Sequence, residues 1–132
     1  MALGYDLRYR LPFPTLPVRV LQVDNGKISV VLTGLVDTGA DGTLVPAQIL
    51  QELGVEALYR ARLRSHWGEW RSAGIFVVDL QIEQVVLPAV EVIADEASED
   101  VLLGRNVLNS LILLLDGPSK RLDLLDKRPR RL

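Results

Sequence analysis

Two aspartates four positions apart, in Leu35-Val36-Asp37-Thr38-Gly39-Ala40-Asp41-Gly42-Thr43, are the residues of this chain best placed to do chemistry. A largely apolar run from Ile28 to Val36 delivers Asp37 into a turn built from Thr38, Gly39 and Gly42. A carboxylate at the end of a buried strand is costly unless hydrogen-bond donors surround it. Glycines carry no Cβ, so their N–H groups can close on an anion. The Thr38 hydroxyl adds a side-chain donor beside them. Such a carboxylate has three readings: a structural turn aspartate with Asx-type bonds, a metal ligand shared with Asp41, or a proton-transferring group. The metal reading lacks further ligands nearby, so no metal or cofactor is expected. The chain has no cysteine, which removes thiol nucleophiles, thiolate sites and disulfides. His66 is the only histidine and reads as a solvated loop residue with no catalytic role.

The elements that must position Asp37 fit one domain of 132 residues. Hydrophobic residues make up 48%, far too many for a disordered chain. Abundant Val and Leu, punctuated by Gly and Pro, favour short strands over long helices. Net charge is −2, and Lys127, Arg128, Arg130 and Arg131 conceal a remainder of about −6. That balance argues against nucleic acid as a partner. Met1 to Arg10 lacks the apolar core of a signal peptide. Leu111 to Leu115 is too short to cross a bilayer. A soluble, cytoplasmic protein with no membrane partner is the expectation.

Leu11 to Pro17 holds three prolines and reads as an extended arm. Val18 to Val23 alternates like a strand, and Asp24-Asn25-Gly26-Lys27 predicts a type I′ hairpin into Ile28 to Val36. Gly34 within that second strand marks a bulge or a close backbone approach. Pro46 opens a short helix to about Leu53, stopped by Gly54. Leu58 to Leu63 and Ile75 to Ile82 form a second hairpin around a polar connection holding both tryptophans. Val85 to Ala94 is a strand that Pro88 places at an edge or bend. Asp95 to Asp100 reads as a solvated acidic loop. Val101 to Leu103 then runs apolar into Gly104-Arg105-Asn106, with a short helix to about Asn109. Leu111 to Leu115 and Leu122 to Leu125 close a last hairpin. The pattern predicts a mostly β fold, with residues 1–17 as an arm, 18–126 as the domain and 127–132 as a basic, solubilising tail.

Asp-Thr-Gly-Ala-Asp after an apolar strand, followed much later by Leu-Leu-Gly-Arg-Asn, resembles the retropepsin-like aspartic proteases. The resemblance runs from about Val18 to Leu125 and implies a small closed β-barrel of the acid-protease type with one or two short helices. It implies an aspartic endopeptidase with Asp37 as the catalytic carboxylate in the loop Thr38, Gly39, Ala40 and Asp41. Gly104, Arg105 and Asn106 would pack beneath that loop and brace it, Arg105 through an ion pair with Asp41. Thr38 would bond its counterpart across a two-fold axis. With one Asp-Thr-Gly in a chain too short for two lobes, the second carboxylate must come from a second copy. A homodimer acting on a peptide or protein substrate follows.

Two features depart from the family pattern. The region matching its substrate-covering flap, Arg60 to Val77, carries Ser65-His66-Trp67-Gly68-Glu69-Trp70 at its tip in place of a glycine-rich turn. Trp67, Gly68 and Trp70 there either touch substrate or, for the rings, cover the core. The basic tail also lacks an apolar final strand like the one retroviral enzymes interleave between subunits, a role the Leu3 to Phe13 arm could take. A catalytically silent module of the same fold, used for dimerisation or peptide binding, is the alternative, because fold does not fix function.

Overall fold

Leu16, Val18 and Val20 are buried while Arg19 between them is exposed, and this period of two seats β2 (Thr15–Leu21) on the core. The computed structural model of the chain describes residues 2–64 and 68–131. Around β2 a barrel closes through β3 (Leu32–Val36), β8 (Val101–Leu103), β4 (Thr43–Pro46), β7 (Val85–Asp95) and β6 (Trp70–Ile82), and β6 returns to pair with β2. The β3–β8 and β4–β7 pairs are parallel and the others antiparallel. Closure removes the open edges that a flat sheet would expose. Val45, Leu80, Ile82, Val92, Val101 and Leu103 fill the interior, each fully buried. Outside the ring, β5 (Tyr59–Arg64) pairs, among the described residues, with β6 alone. A separate three-stranded sheet has the order β1 (Ala2–Gly4), β10 (Arg121–Leu125), β9 (Ile112–Asp116). Two short helices, α1 (Ala47–Glu52) and α2 (Arg105–Leu108), complete the expected mostly β barrel.

Several local expectations shift. The strand expected at Val18 to Val23 starts at Thr15 and ends at Leu21, so part of the proline-rich arm already pairs. The tight type I′ turn gives way to a wider loop. Leu21 bridges Ile28, and Asn25 is not in the left-handed region that such a turn requires. Side chains replace the tight turn, with Lys27 N–H donating to Asn25 Oδ1 at 2.9 Å and Asp24 N–H to Gln22 Oε1 at 2.8 Å. From Leu32 back to Ile28 there is one residue more than from Val18 to Leu21 opposite, so Val30 and Val31 bulge out and stay exposed. Gly34 serves close approach rather than a bulge: a Cβ there would stand 2.6 Å from Val18 Cγ2 and 3.0 Å from Leu16 O. Pro46 ends β4 and caps α1 instead of entering its first turn. Gly54 stops that helix in the left-handed region, φ +71°, with its N–H on Gln51 O and Val55 N–H on Leu50 O.

Pro88 lies where β7 bends. Between Val78 and Leu80 of β6 the opposing strand inserts an extra residue, Ala89 takes φ +51°, and its N–H donates to Asp79 Oδ1 at 2.9 Å. The N-terminal arm folds back on its own chain. Ala2 to Gly4 pair with Arg121 to Asp123, and Asp6 and Phe13 exchange backbone bonds. The Arg8 guanidinium donates to Asp6 and to Asp100, holding the Asp6 carboxyl below the usual carboxylate range. The acidic loop is thereby tied to the arm rather than merely solvated. Among the described residues no helix is long and apolar enough to cross a membrane.

Candidate active site

The loop after β3 is held from two directions. Parallel pairing sets Val36 beside Leu103, so the two glycine-containing motifs leave the barrel side by side. Asp37 N–H donates to Leu103 O at 3.1 Å, which fixes where its carboxyl starts. Gly39 N–H donates to Asp37 Oδ1 at 2.9 Å and Ala40 N–H to Asp37 O at 3.2 Å. A Cβ on Gly39 would stand 3.2 Å from that same Oδ1, so glycine keeps the donor close. Asp37 is half-buried, while Thr38, Gly39 and Asp41 around it are exposed. The rim of the site is thus open to a further surface.

Beneath the loop, α2 starts where a helix has unpaired N–H groups. Arg105 N–H donates to Ala40 O at 2.8 Å and Asn106 N–H to Asp41 O at 3.2 Å. The Arg105 guanidinium donates from Nη1 to Thr38 O at 2.8 Å. The expected Arg105–Asp41 ion pair is not found among the described residues. The helix start places Arg105 N–H on Ala40, so its side chain passes to the loop apex and leaves the Asp41 carboxylate exposed. Bonds from α2 to residues 38–41 of the loop are therefore to main-chain carbonyls at Thr38, Ala40 and Asp41. Gly104 is pressed against the Gly42 backbone, and a Cβ there would fall inside contact distance of Gly42 O.

Sequence reasoning missed Thr43. It is the one buried polar residue among those described, with 0% exposure. Its Oγ1 accepts from Gly104 N–H at 3.1 Å and donates to Asn106 Oδ1 at 2.7 Å. Asn106 Nδ2 continues the chain to Glu91 O at 3.0 Å. One hydroxyl thus joins the end of the Asp37 loop to the start of α2 and, through Asn106, to β7. The available signal was its position as the first inward residue of the apolar run Thr43-Leu44-Val45.

The hairpin of β5 and β6 covers the expected flap region, though Ser65, His66 and Trp67 lie outside the described residues. Gly68 takes φ +84° beside the Arg64 side chain. Trp70 is exposed, so it does not cover the core; its ring lies under the Arg62 and Arg64 guanidiniums at 5.3 and 6.0 Å from the ring centre. No group of three or more His, Asp or Glu among the described residues could hold a metal ion.

A closed β-barrel with Asp-Thr-Gly at a strand end and Gly-Arg-Asn braced beneath it is the architecture of retropepsin-like aspartic proteases. The family described as "gag-polyprotein putative aspartyl protease" matches residues 21–110, and the chain belongs to it. Among solved structures, a retropepsin-like aspartic protease from Rickettsia conorii is similar with TM-score 0.65 and 17% identity, over 94% of this chain and 88% of that one. The retroviral protease-like domain of Ddi1 from Leishmania major gives TM-score 0.56 and 18% identity, over 87% and 90%. The simian foamy virus protease gives 0.53 and 17%, over 73% and 92%. These likenesses establish the fold. A comparison with curated proteins finds no match.

The Gly104 contact yields a direct expectation. Because the neighbour is backbone and cannot rotate away, Gly104→Ala forces α2 off the loop. Stability should fall by about 1–3 kcal/mol, read as a lower urea midpoint at unchanged slope.

Proposed function

We propose that the protein is an aspartic endopeptidase whose catalytic unit is a homodimer. The observation that carries this reading is the half-buried Asp37, oriented by Gly39 N–H on an open rim, in a chain with one such motif. Carboxylate-driven peptide hydrolysis uses two carboxyls about 3 Å apart that share one proton. Like charges so close cannot both ionise. The ionised carboxylate takes a proton from water, whose oxygen attacks the scissile carbonyl carbon. The protonated partner donates to the carbonyl oxygen as it gains charge. Two copies of Asp37 meeting on a two-fold axis would supply both roles, with Thr38 beside them and the β5–β6 hairpin as the cover that excludes water.

The sheet β1-β10-β9 supports a second copy as the missing half. Its edge strand, Ile112-Leu113-Leu114-Leu115-Asp116, has no proline, lysine or glycine to discourage pairing, and Leu114 is 44% exposed. It follows α2 by three residues, so this edge lies one short connection from the helix that braces the Asp37 loop. Two β9 edges, antiparallel about a two-fold, would join the sheets without strand exchange, since β1 is already paired within its own chain. A lysine at that seam sets two like charges together. Leu114→Lys should raise the dimer dissociation constant at least about tenfold, roughly 1.4 kcal/mol, in sedimentation at micromolar concentration. Peptidase activity should fall with the dimer and return at high protein concentration. An unchanged dimer would place the interface elsewhere. Cleavage of a mixed peptide library between acidic and neutral pH tests the activity itself, and an intact library would refute it.

A further inference from the structure

A bent strand and a short helix leave a pocket between them. β7 pairs with β6 along most of its length, but β4 joins its other side only from Val92 onward. On that side residues 87–91 have no strand beside them among the described residues. α2 fills only part of the gap. Asn106 crosses it, its Nδ2 donating to Glu91 O at 3.0 Å, and Ser110 stands just past the end of the helix. What remains is a pocket of about 340 Å³ lined by residues 87–91, Asn106 and Ser110. That volume lies within the range of small-molecule sites, which begins at about 300 Å³. α2 separates the pocket from the Asp37 loop. The Arg105 and Asn106 N–H groups face loop carbonyls, whereas no residue of 37–42 and none of the β5–β6 hairpin lines the pocket.

One wall of the pocket is strained. Ala89 has φ +51°, a conformation that a residue with a Cβ rarely adopts, and its N–H is pinned to Asp79 Oδ1 across the sheet. Beside it Pro88 has no N–H, so this stretch of β7 cannot complete a ladder with a further strand. Strain of this kind persists where the surroundings over-determine it, and it collects at ligand sites. The chemistry of the lining is specific as well. Glu91 is its one ionisable residue, and the chain as a whole is net negative. Glu91 Oε1 accepts from the Tyr59 hydroxyl at 3.4 Å, while Oε2 has no protein partner among the described residues. Asn106 Oδ1 is taken by Thr43, but its amide has a second N–H to give. The Ser110 hydroxyl adds a donor and acceptor, and Leu87, Pro88 and Val90 supply an apolar wall.

We propose that this pocket binds a small organic cation, an amidinium or ammonium, paired with the Glu91 carboxylate and resting its apolar body on Leu87, Pro88 and Val90. A planar amidinium can meet a carboxylate through two parallel bonds, which gives the pair direction as well as charge. The negative chain favours entry of cations and disfavours anions. Occupancy has a route to the Asp37 loop. Asn106 forms one wall of the pocket, bonds Thr43, and starts the helix that holds Ala40 O and Asp41 O. A bound cation packed against Asn106 therefore steadies that helix start. The inference stands on the pocket alone and holds whether or not the protein is a peptidase.

Titration of the full chain with benzamidine and with butylamine, followed by nitrogen–proton NMR, tests the site. Amide signals of residues 89–91 and 106–110 should move and saturate for at least one of the two. A dissociation constant of about 1 mM or tighter is expected, as one charge pair and a small apolar contact allow. Benzamide, neutral and of the same shape as benzamidine, should bind at least tenfold more weakly, and benzoate should not bind. Added salt should weaken the cations. Glu91→Gln should weaken them at least tenfold, and Ser110→Phe, which fills the pocket from an exposed position, should abolish binding. Glu99→Gln, an exposed acid outside the pocket, should leave binding unchanged. Circular dichroism checks that each variant is folded. In the saturated protein, hydrogen exchange at the Arg105 and Asn106 amides should slow. Absence of saturable binding by both cations would overturn the site. So would equal affinity for benzamide, or an equal loss on Glu99→Gln, which would reduce it to general attraction by surface acids. Saturation with unchanged exchange at Arg105 and Asn106 would overturn the link from pocket to loop.

Discussion

Asp37→Asn should abolish the proposed peptide cleavage and leave the proposed dimer in place. The amide keeps the size of the carboxyl, and its Oδ1 can still accept from Gly39 N–H. It can neither take a proton from water nor share one with its counterpart. General acid and general base are lost together, so the rate should drop by about 10⁴-fold or more. Stability should hold or rise, since two crowded carboxyls are gone. Wild-type activity should follow a bell with pH, as a dyad must be singly protonated to act. Peptide library cleavage, sedimentation and urea unfolding of the purified variant provide the three readouts. Undiminished cleavage by the variant would refute the mechanism. If neither protein cleaves any peptide but both bind them, the silent-module reading takes its place.

Much of this site was legible because its determinants are local in sequence. Asp37, Gly39 and Ala40 bond one another within four residues, so composition and spacing alone announced the turn. The barrel strands were legible where burial alternates, as at Leu16, Val18 and Val20. What failed depended on choices among partners distant in the chain. Arg105 could have met a carboxylate or a carbonyl, and spacing cannot decide between Asp41 and Thr38. The loop at Asp24 to Lys27 has the residues of a tight turn, yet an extra residue before Leu32 changes how the strands meet. Thr43 offered only its place in an apolar run, and its role stayed hidden for the same reason, since its two partners lie 61 and 63 residues further along the chain. Pro88 read as an edge or bend, but only the bond from Ala89 N–H to Asp79 across the sheet shows what holds the bend.

Thr43 is accordingly where a small change should cost most stability. Thr43→Val keeps the shape and removes the hydroxyl, so packing against the core is preserved. Gly104 N–H then loses its acceptor in a buried position, and such an unsatisfied donor costs about 1–3 kcal/mol. Asn106 loses its donor as well, and with it the orientation that lets Nδ2 reach Glu91 O. Together these losses should lower stability by about 2–4 kcal/mol. The effect should reach the Asp37 loop through geometry, because α2 carries the N–H groups that fix Ala40 O and Asp41 O. Hydrogen exchange at Arg105 and Asn106 should therefore accelerate before global unfolding sets in. Thr43→Ser keeps the hydroxyl and should retain both bonds, losing only a buried methyl at about 1 kcal/mol. A Thr43→Val protein as stable as Thr43→Ser would mean that the hydroxyl is not the joint between loop and helix. If instead the valine variant is less stable and its Arg105 amide exchanges no faster, the hydroxyl stabilises the barrel without bracing the Asp37 loop.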